Sequence, residues 1–472
     1  MAYNPPMTDT ATHDYADLAI IGGGAAGILV ALQALRRARQ ALHVMVFEPA
    51  SVLGQGIAYA TPWPEHLLNV PAGRMSAFPD QPGDFVDYLE QAAAYPDDER
   101  LSLEARFVSR HHYARYLQQR LTELGAVSMA TLQVRQHAVL AVRREGGALQ
   151  LELDDGQRVP AQQVVLACGN SVRPMPLAGA EALAHTRTAE AWDYDGVRLL
   201  AQHPRIGIIG SGLSMVDSVL GLNAAGHTGQ IHVFSRHALL PLPHAHGAPA
   251  DFDPQPLLAM TLRQRVRALR GHVRDAAQAG IPWQSVMERI RPHGQALWCS
   301  LDEADQRRFL RHVVRYWDVH RHRIAESVHA QLQHARAEGR LHLHRARLQG
   351  VREEGAALQL SARIDAQVQV FTLDALVNAT GVETRADGLR NPLLRQLLAE
   401  GIARPGPHGL GLGSDVEQGL LQDADGGVHA DIAVLGSLRI GTLWESLAVP
   451  ELRQQAEQVA RYALQELKAA MP

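Results

Sequence analysis

The residues best placed to do chemistry in this chain are two glycine-rich runs, each followed at the same distance by one charged side chain. The first, Gly22-Gly23-Gly24-Ala25-Ala26-Gly27, follows the apolar stretch Asp17–Ile21. The second, Gly210-Ser211-Gly212-Leu213-Ser214-Met215, follows Ile206–Ile209. After the first run the next apolar stretch, Leu42–Phe47, ends in Glu48; after the second, Ile231–Phe234 ends in Ser235-Arg236. Both intervals, Gly22 to Glu48 and Gly210 to Arg236, are 26 residues. A strand, a glycine turn and a helix together present unpaired N–H groups and a helix dipole, which hold a pyrophosphate. A side chain at Gly22, Gly24 or Gly210 would block that approach or the turn before it. The residue ending the next strand faces the adenosine ribose. An acid there accepts from free hydroxyls, whereas an arginine pairs with a 2′-phosphate. The first site suits FAD or NAD, and the second suits NADP.

Positioning these turns takes two copies of a Rossmann unit. The helix after the first turn carries Ile28, Leu29, Ala31, Leu32 and Leu35 as a buried face. The second copy is less regular, because Met215 stands where a third glycine or alanine would pack. Between the copies lie a long non-repetitive stretch, Ala50–Pro96, a helix around His111–Leu124, and strands around Leu132–Val142 and Leu149–Leu153. The strand Gln163–Ala167 ends in Cys168-Gly169, and residues 171–203 read as a linker. Beyond Arg236 come a Pro/His/Gly-rich loop, Pro241–Pro254, and a long helical region to about Gly339. Strands follow at Leu341–Leu348, Ala357–Ile364 and Ala375–Val377, the last ending in Asn378-Ala379-Thr380-Gly381. A final strand, Ile432–Leu435, leads through Gly436–Glu445 into the last helix. The expectation is an α/β fold of two Rossmann-like dinucleotide-binding domains, the NADP domain inserted into the first domain, which suits FAD or NAD and is called the FAD domain on the resemblance given below. Its parts are 1–171 (FAD domain, first part), 172–372 (NADP domain with a helical insertion at about 250–338) and 373–472 (FAD domain, second part).

Composition removes several function classes. At 472 residues there is ample core for two to four domains, and 46% hydrophobic with 20% charged residues is an ordinary globular balance. A net charge of −4 gives no electrostatic case for nucleic acid or an anionic membrane surface. Met1–Asp17 has no basic n-region, and the longest apolar run, Leu18–Leu32, is too short to span a bilayer. The expected location is therefore the cytoplasm. Cys168 and Cys299 are the only cysteines and form no CxxC pair, so a dithiol relay beside a flavin is excluded. The 24 histidines include pairs such as His111-His112, His244/His246, His320/His322 and His342/His344, without HExxH or Cys/His spacing; no metal is expected.

One further pattern concerns substrate. Leu310, Val314, Trp317, Ile324 and Val328 recur at helical spacing within about Asp305–Glu338, and Arg321 falls in register with them. An inward guanidinium needs a partner, because a lone buried charge costs several kcal/mol. That partner is a structural acid, Asp318 or Glu326, or else a carboxylate or phosphate brought by substrate or cofactor. Arg74 is a second candidate anion clamp, with a solvated surface role as its alternative.

The arrangement resembles the two-dinucleotide-binding-domain flavoproteins. More narrowly, it is similar to the bacterial FAD-NAD(P)-binding family related to flavin-dependent N-hydroxylating monooxygenases. The likeness rests on Gly22–Gly27, Gly54-Gln-Gly56-Ile-Ala-Tyr59, His66-Leu-Leu-Asn69-Val-Pro71-Ala-Gly-Arg74-Met75-Ser76 and Gly210–Asp217. It rests also on Ser235–Pro241, Tyr316–Arg323 and Gly441-Thr-Leu-Trp444-Glu-Ser446. The second glycine motif, and Cys168 where threonine is usual, depart from the pattern. The resemblance implies FAD with its pyrophosphate at Gly22, Gly24, Ala25 and Gly27, its ribose on Glu48 and its adenine supported by Val139. Asn69 to Met75 and Gly436 to Leu443 would lie near the ribityl and isoalloxazine, with Trp444 nearby. NADPH would bind through Gly210, Ser211, Gly212, Ser235 and Arg236. The implied reaction is N-hydroxylation of a small amine or amino acid through a flavin C4a-hydroperoxide, with Asn69, Met75 and Arg321 as candidate catalytic residues. Inward arginines would fit an anionic amino acid. Two alternatives stay open: an NADPH dehydrogenase passing electrons to an organic acceptor without oxygen insertion, and a flavin- and nucleotide-binding redox sensor or partner-dependent tailoring protein.

Overall fold

The computed structural model describes residues 15–469. Most of the N-terminal stretch read above as lacking a leader's features lies outside them. The described chain divides into two compact units. One contains the chain up to Thr61, Val70–Ser171 and the chain from Glu383; the other contains Pro62–Asn69 and Val172–Val382.

The first unit is built on an eight-stranded sheet. Its central strand, Ala16–Ile21, is buried along its whole length, which is why the sequence there is apolar without alternation. It pairs in parallel with His43–Phe47 on one side (Ile21 opposite Phe47) and Arg158–Leu166 on the other (Ile21 opposite Leu166). Thr131–Arg135 extends the sheet past His43–Phe47, and Val428–Val434 extends it past Arg158–Leu166, both in parallel. The span expected as strand around Leu132–Val142 is two strands. Val139–Glu145 folds back with Ala148–Leu153 as a hairpin, turning at Gly146-Gly147, both of positive φ.

The second unit repeats the plan. Arg205–Ile209 is flanked in parallel by Gln230–Ser235 and Ala375–Asn378, with Leu341–Arg345 and Thr188–Glu190 at the edges. Ala375–Asn378 thus completes the second sheet, and the chain returns to the first unit after Val382, not at 372/373. The expected strand Leu341–Leu348 also divides. Leu341–Arg345 is parallel, whereas Arg347–Glu354 opens an antiparallel sheet with Ala357–Ile364 and Gln367–Leu373.

The helical insertion starts with Leu262–Gln278, whose N-terminus is closed by a Thr261/Gln264 capping box. The continuous helix expected over Asp305–Glu338 is broken twice. Glu303–Arg308 passes through a π-helical turn, Phe309–Val313, into Val314–Arg321, and the next helix begins only at Glu326. Between them Ile324 is extended, donating its N–H to Leu242 O (3.0 Å) and accepting from His244 N–H (2.9 Å). The break also seats Arg323, which is buried, on Glu288 and 5.8 Å from the Trp283 ring. The apolar stripe therefore does not share one helix, and Arg321 is the buried last residue of Val314–Arg321. Among the described residues no helix is long and apolar enough to cross a membrane.

Candidate cofactor-binding site

The two glycine turns are nearly superimposable in their constraints. Gly22 and Gly210 both have φ +111°. A Cβ on Gly22 would lie 2.2 Å from Ala167 O, and one on Gly210 would lie 2.2 Å from Ala379 O. Each turn is thus wedged against the end of the neighbouring strand, at the parallel positions Cys168-Gly169 and Thr380-Gly381. The amide of Gly22 donates to Phe47 O and that of Gly210 to Phe234 O, both at 2.9 Å. Neither following helix, Ala25–Arg37 or Leu213–Ala224, has a side chain capping its N-terminus. Their first N–H groups are therefore left to an external acceptor or to water.

The middle glycines answer a different demand. A Cβ on Gly24 would meet nothing nearer than Gly56 Cα at 3.4 Å, and one on Gly212 nothing within 4 Å. No protein atom requires glycine there, so the space it leaves suits a ligand; this is the cradle a pyrophosphate needs. Gly27 by contrast is required by the fold, since a Cβ there would lie 1.9 Å from Gly22 O. Met215, at the matching place, is fully buried.

The two strand ends differ in charge and in how that charge is held. Glu48 is half-buried and accepts from Gly23 N–H (2.7 Å) and Ala50 N–H (3.0 Å), which ties the acid to the turn. Ser235 and Ser211 bond to each other (2.9 Å); Ser235 Oγ accepts from Ala238 N–H and Ser211 Oγ donates to Leu239 O. These bonds shape the loop that presents Arg236, which is exposed.

Other expected cofactor residues are spread over both units. Met75 and Val139 are buried in the first, Val139 within the core cluster of the main sheet. Arg74, in the short turn Ala72–Arg74, is exposed. Asn69 ends the segment that belongs to the second unit, where His66 bonds Asp217 O (3.0 Å) and His244 bonds the Asn69 carbonyl (3.2 Å). Gly436 has φ +70° and donates to Gln455 Oε1 (3.1 Å), while Leu443 is buried.

Sequence reading missed the strain that follows. Trp444 has φ +61° and ψ −64°, and Glu445 N–H donates to Leu443 O at 2.7 Å. This is the rare γ-turn of positive φ, which a non-glycine residue adopts at a cost of about 1–3 kcal/mol and which concentrates at functional sites. Beside it Ser446 Oγ is buried with no hydrogen-bond partner among the described residues. Such an orphan fits a cofactor-lined wall better than a closed core.

The thiol of Cys168 is pushed up to about 12 by burial and so stays protonated. Both cysteines are free. Among the described residues the one cluster with three converging potential metal ligands is His137, Asp154 and Asp155, at the surface.

The fold is that of the two-dinucleotide-binding-domain flavoproteins, and residues 19–171 match the family model described as FAD-NAD(P)-binding. Ornithine hydroxylase from Pseudomonas aeruginosa superposes with a TM-score of 0.66 at 19% identity, over 96% of this chain and 100% of that one. Kutzneria sp. 744 ornithine N-hydroxylase, solved with reduced FAD, NADP+ and L-ornithine, gives 0.66 at 15% identity, over 96% and 99%. Bacillithiol disulfide reductase from Bacillus cereus gives 0.55 at 14% identity, over 96% and 99%. No curated protein matches the chain by sequence.

Proposed function

We propose that this chain is an FAD-dependent, NADPH-using monooxygenase that N-hydroxylates a small amine or amino acid in the cytoplasm. The observation that carries the cofactor assignment is the pair of matching turns, one ending its ribose strand in Glu48 and the other in Arg236. FAD would lie on Gly22, Gly24, Ala25 and Gly27 with its ribose at Glu48; NADPH would lie on Gly210, Ser211 and Gly212 with its 2′-phosphate at Arg236. Flavin supplies two-electron chemistry with NADPH and with oxygen. The chain's part is to orient the two dinucleotides, to hold the segment Gly436–Ser446 in its strained course and to keep water out. The likeness in fold to ornithine N-hydroxylases supports N-hydroxylation. A dithiol reduction of the kind the reductase fold also serves lacks support, since the only cysteines are far apart and Cys168 is held protonated. Arg321, buried at the end of its helix, is our candidate for the carboxylate of an anionic amino acid, with Asn69 and Met75 on the flavin side.

The test is direct. The purified protein is expected to be yellow, to release FAD on denaturation, and to oxidise NADPH in air. A panel of ornithine, lysine, aspartate and glutamate should contain an amine that yields hydroxylamine and lowers peroxide release. NADPH oxidation accelerated by a quinone, with no hydroxylamine from any amine, would favour the dehydrogenase. A bound flavin that NADPH does not reduce would favour the sensor.

A further inference from the structure

Arg236 does not stand alone at the end of its strand. Gln230–Ser235 pairs in parallel with Leu341–Arg345, which sets Ser235 opposite Arg345, and Ala346 N–H donates to Ser235 O at 2.9 Å. Arg345 and Arg347 therefore flank the strand end that presents Arg236. From the helical insertion, Tyr316 places its ring 6.5 Å from that of His237, so Val314–Arg321 reaches the same spot. Partial desolvation of its head group, then the charges of Arg315, Arg173 and Arg347, hold the guanidinium of the largely exposed Arg236 below its usual range. His237 is lowered by burial and by Arg236, Arg315 and Arg345. The charged groups named as acting on these two side chains, Arg173, Arg236, Arg315, Arg345 and Arg347, are all cations. Arg315 has an acid at hand, Asp318, on its own helix at 3.1 Å.

Like charges gathered in this way oppose folding unless an anion is drawn in. A phosphomonoester carries a charge of roughly −1.5 to −2 near neutral pH, more than one guanidinium offsets. Resting on the NADPH reading, we infer that Arg315 is a second ligand of the coenzyme 2′-phosphate beside Arg236, exchanging Asp318 for the phosphate when the coenzyme binds. Arg345, Arg347 and Arg173 supply the surrounding positive field. Coenzyme specificity is thereby shared between the Rossmann strand end and a helix of the insertion, the same helix that ends in Arg321.

The experiment is calorimetric binding to the full-length protein of adenosine 2′,5′-bisphosphate, adenosine 5′-monophosphate and inorganic phosphate, with no turnover involved. The parent should prefer the bisphosphate over the monophosphate by tenfold or more and should bind inorganic phosphate far more weakly. Arg315→Ala should cut that preference about tenfold while leaving monophosphate affinity unchanged and the melting temperature no lower. Asp318→Asn should tighten the bisphosphate. A preference that survives Arg315→Ala but vanishes in Arg236→Ala would overturn the Arg315 assignment and leave the NADPH reading standing. The absence of any 2′-phosphate preference in the parent would overturn both. Inorganic phosphate binding as tightly as the bisphosphate would replace a coenzyme clamp by a free-anion site, and so overturn the inference.

Discussion

The two glycine turns share a backbone and differ in everything around it. At Gly22 and Gly210 the same φ and the same wedge against a strand-end carbonyl recur, because the demand is internal: the turn must pass a neighbouring strand at close range. At the third position the demand diverges. Gly27 lets its helix approach to where no Cβ fits, whereas the second helix accepts a buried Met215 and so must leave room for it. At the strand end the difference is one of charge. Glu48 is clasped by two backbone N–H groups, whereas the charges acting on Arg236 are those of other arginines. Sterics fix the turn, then, and it is the charge at the strand end that sets the two apart.

The comparison can be broken first at its third position, where the largest effects should fall. Gly27→Val should destabilise the protein by about 3 kcal/mol or more through overpacking, and Met215→Gly by about 3–5 kcal/mol through a cavity and added chain entropy. Denaturant melts of the two variants measure this; indifference to either would mean that the helices do not depend on these positions. Gly24→Val separates fold from function. With no protein atom closer than Gly56 to its Cβ, it should melt close to the parent yet retain no flavin. Full FAD occupancy in that variant would sink the pyrophosphate assignment.

Next comes the strand end. Arg236→Ala should weaken NADPH use ten- to hundredfold, the equivalent of about 1.5–3 kcal/mol, and leave NADH nearly unchanged. Steady-state kinetics with both coenzymes decide it, and equal loss for both would refute a 2′-phosphate contact.

The smallest effect lies in the strands themselves. Val44 stands four residues before Glu48, and at the matching place before Arg236 the second sheet has His232. Burial, then the charges of His342, His344 and Arg205, lower His232 to about 4, against about 6.5 in an unfolded chain. Between those values the unfolded state binds the extra proton, so stability falls as pH drops from about 6.5 towards about 4. His232→Val should flatten that decline and change little at neutral pH. An unchanged pH profile of melting temperature would place the acid sensitivity elsewhere.

How much of this was legible depended on whether the cause was local. The turns, the buried central strands and the opposed ribose residues could be read because strand, turn and helix are adjacent in sequence. The broken insertion helix could not. Its extended residues answer to Leu242 and His244, and its spacing alone is compatible with an unbroken helix. Nor could the return after Val382, since Ala375–Asn378 reads the same whichever sheet it joins. The γ-turn at Trp444 has no sequence signature, because tryptophan does not favour positive φ. Arg345 and Arg347 come to act on His237 and Arg236 only through the strand that lies next to Gln230–Ser235. Leu341–Leu348 reads as one strand in the sequence, but its division after Arg345 and its register beside Ser235 are tertiary facts.

The sheet that carries the first turn has a further consequence, for the order of events during synthesis. Val428–Val434 lies directly against Arg158–Leu166, and the final helix, Val449–Ala469, reaches the first through the Arg37–Glu457 ion pair and holds Gly436 through Gln455. A ribosome delivers these pieces only after the whole of the second parallel sheet. The second parallel sheet, drawn from one continuous stretch of chain, can form while the first still waits for its closing strand and helix. Flavin capture would then follow the second sheet in time, and a chain cut short before Val428 should be colourless while still gripping its nicotinamide nucleotide.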